Sequence, residues 1–409
     1  MHIQNRLVCG QLSVGWILLI VLVLFSCTPR ITPDDVHQRL LTLDSHVDTP
    51  LLMIIGAVDA GERADSASLS KLDWVRMREG GLDAVFFAAF VGQGPRTSAG
   101  YNRATKRVDA LLDCIDSTLA AHPDLAALAL IADDAERLAN EGLAAVYLGI
   151  ENGYAIGREL SFLDRYYNRG VRYITLCHTL NNDICDSSTD PKGPEHGGLS
   201  LLGKEVVQRM NDLGMLVDLS HASDATFFDV LPISTTPVIA SHSGARAVCD
   251  HPRNLSDEML QALANHGGVV QVCLFSGYVK ILSPSPQREA ALQEWEERYS
   301  SKTNLSPAVR RQAEEERRAI DRRYLPSLAT VADLVDHIDH IVAVAGIDHV
   351  GIGSDFDGGG GLQDCQDVAQ MPAITRELLR RGYAVDEVQK IWSGNFLRVM
   401  RQAENNRRE

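Results

Sequence analysis

A histidine and an aspartate two residues apart, His46 and Asp48, end an apolar run near the start of the chain. Alternate residues of an extended segment point the same way, so this imidazole and this carboxylate could bind one metal ion. Other apolar runs end in residues that bind metals or transfer protons: Glu151, His178, His221, His242 and Asp355. Side chains at the ends of successive parallel strands converge on one mouth of a barrel. The pattern predicts a metal-dependent active site and favours a hydrolase.

The residue types suit two divalent ions. His46 and Asp48 would hold one ion, and Glu151 could bridge it to the other. His221 and His242 follow consecutive strands and would hold the second ion. Imidazole and carboxylate ligands favour zinc, with manganese or cobalt as alternatives. Two ions about 3.5–4 Å apart can share a water, lower its pKa towards about 7 and polarise a carbonyl, and the bridging hydroxide would then attack an amide or ester carbon.

The leaving nitrogen needs a proton, and a carboxylate near the attacking water would carry it. Asp355 is the free candidate. A ligand or structural role for Asp355 is the alternative, with neighbouring Asp357 as the relevant carboxylate. Five further histidines fall on predicted helices or before the last strand, and we expect them to be structural or solvated: His37, His122, His337, His340 and His349.

The elements that must position these residues alternate along the chain. Short runs rich in Val, Ile, Leu and Phe predict eight strands, at residues 41–45, 82–90, 144–150, 171–177, 215–220, 237–241, 268–275 and 349–354. Helices are predicted at residues 101–121, 133–141, 159–169, 201–213, 223–230, 256–265 and 331–345. Repeated βα order predicts an α/β fold, a TIM (β/α)8 barrel with an all-parallel core. A doubly wound open sheet is the alternative.

Two segments exceed what a minimal barrel needs. Residues 181–200, after the fourth strand, form a polar Gly/Pro-rich loop long enough to cover the barrel mouth. Residues 286–326 are charged and favour helix, which predicts a helical insertion between strands seven and eight. We interpret the insertion as a solvated helical hairpin; an oligomer contact or a substrate rim is the alternative.

The N-terminus predicts export. A weakly positive start at Arg6 precedes an apolar run from Trp16 to Phe25 that is short for a membrane span, and the run closes on a lipobox-like sequence at Cys27. We therefore expect residues 1–27 to be a lipoprotein-type signal peptide ending in a lipidated Cys27, with a retained signal anchor as the alternative. Residues 28–35 would be a tether, 36–400 the domain and 401–409 a polar, frayed tail. Both alternatives place the domain in the bacterial cell envelope, outside the cytoplasm.

The formal net charge of −15 at pH 7 argues against nucleic acid as a partner, because phosphates require basic surfaces. It also argues against electrostatic binding to anionic lipid, which leaves the acyl anchor as the membrane contact. Six cysteines lie outside the leader and show no CxxC pairing, so a structural zinc site is not expected. Disulfides among them are permitted in an oxidising envelope, and the sequence does not choose the partners.

Seven ordered motifs, HVDTP, GIENG, TLCHT followed by DSS, VDLSH, SHSGAR, HPRN and GSDFDGG, resemble the membrane dipeptidase (renal dipeptidase) family of zinc peptidases over residues 36–400. The resemblance implies that Glu151 bridges two zinc ions, with His46 and Asp48 on one and His221 and His242 on the other. It assigns proton transfer to Asp355. His178 would contact the scissile group or the oxyanion, Arg253 the substrate carboxylate, and Tyr278 the substrate. A homodimer is also implied.

These observations favour a binuclear zinc dipeptidase, a lipid-anchored enzyme hydrolysing dipeptides that carry a free C-terminal carboxylate, with L,D dipeptides as a further class beside L,L. Another amidohydrolase, acting on an N-acyl amino acid, a lactone or a phosphotriester, is the first alternative. Related barrels commonly bridge their metals with a carboxylated lysine, and strand four ends without a lysine here. A non-catalytic envelope binding protein is the second alternative, although it predicts the loss of ligand residues that are all present.

Overall fold

The computed structural model describes residues 31–64, 70–282, 285–299 and 328–408, with scattered residues between 306 and 324. The predicted leader with Cys27 lies outside the described residues, as does most of the second half of the predicted insertion. Within the part of the chain that is described, no helix is both long and apolar enough to span a membrane.

Nine strands build the sheet, and every pairing between them is parallel. They are β1 (Leu43–Val47), β2 (Ala84–Phe90), β3 (Ala126–Leu128), β4 (Ala144–Glu151), β5 (Val171–Thr175), β6 (Leu216–Asp218), β7 (Ile239–Ser243), β8 (Val269–Cys273) and β9 (Val350–Gly353). Eight of them follow one another in the order β1-β2-β4-β5-β6-β7-β8-β9, and β3 pairs only with β4. The eight match the eight predicted strands.

The sheet closes between its two end strands. Val47 of β1 forms a parallel bridge with Phe356, which follows β9. The backbone N–H of Asp48 donates to the carbonyl of Phe356 at 2.8 Å, and that of Asp355 donates to the carbonyl of His46 at 2.9 Å. Closure is therefore made by the segments that carry three predicted site residues. The predicted TIM barrel is confirmed, and the open doubly wound sheet is excluded.

Helices lie between successive strands and around the barrel. The first eight are α1 (Pro33–His37), α2 (Thr49–Met53), α3 (Trp74–Gly80), α4 (Ser98–Ala121), α5 (Asp134–Asn140), α6 (Ser161–Asn168), α7 (Leu201–Leu213) and α8 (Asp224–Val230). They are followed by α9 (Asp257–Asn265), α10 (Ser276–Val279), α11 (Pro286–Tyr299), α12 (Val331–Ala345), α13 (Pro372–Arg380), α14 (Val385–Gln389) and α15 (Asn395–Asn405). Single 3₁₀ turns occur at Gly153–Ile156, Ile347–His349 and Val368–Gln370, and a π turn at Lys390–Gly394 joins α14 to α15.

The barrel interior is filled by aromatic rings. Phe86 stacks on Tyr147 with ring centroids 4.8 Å apart and on Tyr173 at 5.2 Å, and Phe396 of α15 packs edge-on against Phe86 at 5.1 Å. A side chain at Gly149 would place its Cβ 2.2 Å from the Tyr173 ring. The absence of a side chain at Gly149 therefore leaves room for the Tyr173 ring, whose hydroxyl reaches the carboxyl ends of the strands.

The C-terminal helix differs from the tail we predicted. α15 continues through Arg401 to Asn405, and its residues Met400 and Ala403 are buried in the same cluster as the barrel interior. The apolar stripe of this helix holds it to the barrel, so the expected boundary at residue 400 and the expected fraying from residue 401 were wrong. The three-residue strand β3 was also missed, because two of its three residues are alanines, which are depleted in strands.

The two long segments have distinct structures. In the predicted insertion, α11 forms the first part, and the indole N–H of Trp295 donates to the carbonyl of Ala313 at 2.8 Å. In the loop at residues 181–200, the Asp186 carboxylate accepts backbone N–H groups from Glu195 and Gly198 at 2.8 and 2.9 Å. Glu195 also pairs with Arg96, which follows β2. The loop is thereby tied to the neighbouring loop at the end of the barrel where the site residues lie.

Candidate metal centre

The predicted site residues meet at the carboxyl ends of the strands. A cavity of about 260 Å³ opens there, and His46 lies fully buried beside the residues that line it. The strand-end positions place these side chains on one mouth of the barrel, as the sequence pattern required. The predicted residues among its lining are Asp48, Glu151, His178, His221, His242, Arg253, Tyr278 and Asp355.

Glu151, the last residue of β4, stands at the centre of the cluster. Its Oε1 lies 3.0 Å from His221 Nε2 and 3.5 Å from His242 Nε2. Its Oε2 faces the other way, 3.7 Å from His46 Nε2. One carboxylate thus presents its two oxygens to histidines on opposite sides, which is the arrangement a bridging ligand requires.

Within the described residues, two of the buried ligand atoms lack the hydrogen-bond partners that a bound cation would replace. His46 Nε2 and Asp48 Oδ1 are buried and make no hydrogen bond within the described residues. The two side chains are neighbours, with His46 Nε2 3.8 Å from Asp48 Oδ2. Unpartnered buried polar atoms are costly, so a shared group that satisfies them is expected. Zinc accepts this set of imidazole and carboxylate ligands.

The clusters of neighbouring ligand atoms do not coincide with the two ligand sets that the family resemblance implies. Among the residues that the structure describes, three groups bring possible ligand atoms within 4.8 Å of one another: His46–Glu151–His242, Glu151–His178–His221 and His46–Asp48–Asp355. His178, predicted to be a substrate contact, has its Nε2 3.6 Å from Glu151 Oε1, and its side chain is 21% exposed. The short separation of 2.9 Å between His221 Nε2 and His242 Nε2 shows that these two nitrogens converge on one point.

A hydrogen-bonded chain orients His242. Its Nδ1 lies 2.9 Å from Ser241 Oγ, and that hydroxyl donates to Asp218 Oδ2 at 2.6 Å. Asp218 also accepts the hydroxyl of Thr175 at 2.6 Å and the backbone N–H of Ser241 at 2.8 Å. Because the Ser241 hydroxyl is committed to the carboxylate, His242 carries its proton on Nδ1 and leaves Nε2 as a lone pair for the cavity.

His46 is oriented in the same way by a different residue. Its Nδ1 lies 2.8 Å from the hydroxyl of Tyr173, which donates to the carbonyl of Ser45 at 3.2 Å. The sequence reasoning missed both Tyr173 and Asp218. In the sequence, Tyr173 resembles an ordinary aromatic core residue and Asp218 an incidental acidic residue. The only signal was that Asp218 is an aspartate inside the buried strand that precedes His221.

Burial and mutual charge shift the pKa values of the cluster. Burial opposes ionisation of Glu151, but His46, His221 and His242 outweigh it and hold the pKa of Glu151 well below its usual range. Burial, reinforced by the Glu151 charge, raises the pKa of Asp48 to about 6. Burial lowers the pKa of His221 well below its ordinary value, and that of His242 to about 3. Both histidines are therefore neutral, the form in which imidazole binds metal.

Arg253 supplies a positive charge to the cavity. The residue is only 3% exposed, yet none of the ion pairs among described residues involves it. One Nη donates to the carbonyl of His242 at 2.9 Å, and the guanidinium lies over the Tyr278 ring at 5.3 Å from its centroid. A buried guanidinium without a carboxylate partner is able to pair with an anionic group of a ligand.

The structure distinguishes the two candidate carboxylates after β9. Asp357 accepts the Thr49 hydroxyl and the Lys71 backbone N–H, each at 2.7 Å, so it anchors the loop ahead of α3. Asp355 has a positive φ of 57°. Burial and the nearby Asp48 charge raise the pKa of Asp355 well above its usual range. Of the two, Asp355 has the less constrained carboxylate, with Cys273 Sγ 4.0 Å from its Oδ2.

The five histidines expected to be structural each have a partner elsewhere. His37 Nε2 bonds to the carbonyl of Gly80 at 2.8 Å, and His337 Nε2 to that of Val279 at 2.8 Å. The remaining three are His122 with Asp59, His340 with Asp257 and His349 with the carbonyl of Gly268.

Comparison with known proteins finds a family match over most of the chain. The model of the family described as membrane dipeptidase (peptidase family M19) matches residues 32–409. Dipeptidase aclJ of Aspergillus oryzae is 33% identical over 340 residues, covering 82% of this chain and 70% of the relative. Dipeptidase 3 of Macaca fascicularis is 34% identical over 357 residues, which is 86% of this chain and 62% of the relative. The chain thus spans less than two thirds of dipeptidase 3.

Solved structures show the same fold. The probable dipeptidase PvdM from Pseudomonas aeruginosa superposes with a TM-score of 0.79 at 32% identity, covering 91% of this chain and 98% of that one. A metallopeptidase from Rhodobacter sphaeroides, liganded with a phosphinate mimic of the dipeptide L-Ala-D-Ala, shares the fold with a TM-score of 0.71 at 22% identity, covering 88% of this chain and 99% of the other.

Proposed function

The chain belongs to the membrane dipeptidase family, peptidase family M19, and from that premise we propose that it is a binuclear zinc dipeptidase acting on dipeptides with a free C-terminal carboxylate. L,L and L,D dipeptides are the proposed substrates. The observation that carries the proposal is the placement of Glu151, whose two oxygens face histidines on opposite sides. The same cavity also holds a buried arginine that has no ion-pair partner among the described residues.

Five residues would hold the ions. His46 and Asp48 would bind one zinc and His221 and His242 the other, with Glu151 shared between them. When bound, the two ions supply a water of lowered pKa and polarise the scissile carbonyl. The orphaned atoms of His46 and Asp48 support this assignment, as do the hydroxyl partners of His46 Nδ1 and His242 Nδ1, which leave each Nε2 as the nitrogen available to an ion.

The other cavity residues would position the substrate and move the proton. Arg253 would bind the C-terminal carboxylate, with Tyr278 packed against both the guanidinium and the ligand. His178, whose ring packs against Phe90, would donate to the oxygen that becomes negative as the carbonyl is attacked. The Asp355 carboxylate would take a proton from the attacking water and deliver it to the leaving nitrogen.

The direct test is an assay of the purified protein with zinc against a panel of L,L and L,D dipeptides. N-acyl amino acids and lactones belong in the same panel as competing substrate classes. Hydrolysis confined to free dipeptides supports the proposal. Turnover of the competing classes alone, or bound zinc without turnover of any compound, contradicts it.

Replacing Arg253 with methionine is expected to remove the preference for a free carboxylate. Wild-type protein should hydrolyse a dipeptide with kcat/KM about 10²–10³ above that of its C-terminal amide, since a buried charge-assisted pair contributes roughly 3–4 kcal/mol. The Arg253→Met variant should bring this ratio close to one, mostly through KM. Arg246→Met is the matched control, because Arg246 pairs with Asp224 outside the cavity. Retention of the wild-type ratio by Arg253→Met would exclude the assigned role.

Replacing Asp218 with asparagine is expected to weaken zinc binding about 10–100-fold. An amide nitrogen at this position would donate to the Ser241 hydroxyl, which would then donate to His242 Nδ1 and move the imidazole proton to Nε2. Competition with a chelator of known affinity measures the change. Asp164→Asn, which removes a surface pair with Arg209, is the control. Unchanged zinc affinity in a folded Asp218→Asn variant would disprove the relay.

We also propose that the domain is anchored in the bacterial cell envelope by lipid on Cys27, after removal of the leader before it. The proposal rests on the apolar run and the lipobox-like sequence. Incorporation of a labelled fatty acid in wild type and its loss in Cys27→Ala is the expected result. Equal membrane recovery of both proteins without label would favour a retained signal anchor. The homodimer implied by the family resemblance is proposed alongside, and mass measurement in solution tests it.

A further inference from the structure

Two buried cysteines lie beside the metal centre but outside its cavity. Cys177 directly precedes His178, and Cys185 lies in the loop at residues 181–200. Both side chains are fully buried and both thiols are free. They are also neighbours: burial, reinforced by the nearby Cys177 thiol, raises the pKa of the Cys185 thiol well above its usual range. The structure therefore contains a pair of neighbouring free thiols.

The backbone holds the two thiols together without help from a covalent bond. The side chain of Asn182 accepts the N–H of Cys185 at 3.1 Å and donates to the carbonyl of Leu176 at 2.8 Å. The backbone N–H of Asn182 donates to the carbonyl of Cys185 at 3.2 Å. Asn182 thus folds the chain back so that the residue after Leu176 meets Cys185.

Contacts of the Cys177 sulfur confirm this turn. Cys177 Sγ lies 3.8 Å from the carbonyl oxygen of Asp186, the residue that follows Cys185. It also lies 3.7 Å from the carbonyl oxygen of His221. The thiol pair consequently sits where the end of β5, the long loop and the segment carrying a candidate metal ligand come together.

We propose that Cys177 and Cys185 are a disulfide-forming pair that cross-links the end of β5 to the loop at residues 181–200. A bond forms between the two sulfurs while both S–H bonds break. The two electrons pass to a small-molecule or protein disulfide, which is reduced to two thiols and takes up the two protons. Because both cysteines are buried once the loop has closed, the exchange occurs during folding. The proposal does not depend on the proposed enzymatic function.

The cross-link would brace the segment that carries His178. Ser187, two residues after Cys185, donates its hydroxyl to the carbonyl of His178 at 2.5 Å. A disulfide closing this short loop restricts the unfolded chain and should raise Tm by about 2–5 °C. The contacts of the folded loop are already in place, so kcat with bound zinc should change less than about twofold.

The experiment compares full-length chain refolded with oxidised glutathione and the same chain refolded under reducing conditions. Each sample is unfolded, alkylated, digested and examined by mass spectrometry. We expect a peptide pair linking Cys177 to Cys185, lighter by two hydrogen atoms, in the oxidised sample only. Cys177→Ala and Cys185→Ala should each abolish the linked pair and the Tm difference. Cys114→Ala is the control, because Cys114 is a partly buried free thiol on α4 and its loss should leave the link intact.

A second measurement applies if the protein does not refold in vitro. The chain is exported to an oxidising compartment, trapped with an alkylating agent on lysis and mapped in the same way. Free, alkylated Cys177 and Cys185 in folded protein from the oxidising conditions would overturn the proposal. So would a link from either cysteine to a different partner. The thiol state is read by mass, so the result does not depend on whether the protein hydrolyses dipeptides.

Discussion

Glu151→Gln is expected to yield a folded barrel that retains neither zinc ion and has lost at least about 10³-fold of the dipeptidase activity. Glu151 is the residue that both proposed ion sites share, since its Oε1 faces His221 and its Oε2 faces His46. An amide in its place would present N–H donors to one of the two ions and would remove the negative charge that compensates both. Metal analysis after dialysis, together with steady-state kinetics, measures the two losses.

The comparison that makes this result specific is His46→Ala. His46 touches only one of the two proposed ion sites, so its loss should remove one ion and the activity while the other ion remains bound. Circular dichroism and thermal unfolding establish that both variants retain the barrel. If Glu151→Gln keeps two ions, or if His46→Ala loses no metal and keeps full turnover, the shared-bridge arrangement is wrong.

Asp355→Asn is expected to lower kcat by about 10²–10⁴ while leaving two zinc ions bound, because general acid–base transfer contributes this much and an amide cannot carry the proton. The side chain of Asp355 faces the cavity, and burial and the Asp48 charge raise its pKa. Pre-steady-state kinetics should locate the loss in the hydrolytic step, and KM should change little.

Asp357→Asn is the matched control for this prediction. The Asp357 carboxylate is held by Thr49 and by the backbone of Lys71, so its replacement should reduce thermal stability more than kcat. If Asp357→Asn lowers kcat and Asp355→Asn does not, the proton-transfer role belongs to Asp357 instead. Loss of zinc from Asp355→Asn would instead identify Asp355 as a ligand.

The strand ends could be predicted because two simple signals coincide there. Strands buried on both faces read as continuous apolar runs, and a histidine or carboxylate at the end of such a run is conspicuous. Glu151, His221 and His242 were found in this way, and the structure brings them together around one point. The eight barrel strands and the seven predicted helices follow from the same alternation.

Residues that act through another side chain gave no such signal. Tyr173 and Asp218 lie inside strands, where a tyrosine reads as core and a single aspartate as incidental; only the folded barrel shows that they bond to His46 and, through Ser241, to His242. Gly149 gave no signal either, because glycine is required there only by the Tyr173 ring on the next strand, which leaves no room for a Cβ atom. Such roles depend on register between strands, which a single sequence does not specify.

Arg253 illustrates a different limit. Residue type alone predicts that this arginine lies at the surface in an ordinary ion pair, and only the motif around it suggested a substrate contact. The structure shows the guanidinium buried against Tyr278 and the carbonyl of His242. Burial of a charge is a property of the whole fold, because the loops after β7 and β8 must both be in place to enclose it.

The measurement that tests the account most directly is a zinc titration of metal-free wild-type protein, with dipeptidase activity and bound metal followed together. The account predicts that bound zinc saturates at two ions per chain and that activity rises fully only as the second ion binds. Saturation at one ion with full activity, or full activity in the metal-free protein, would contradict the two-ion site built on Glu151.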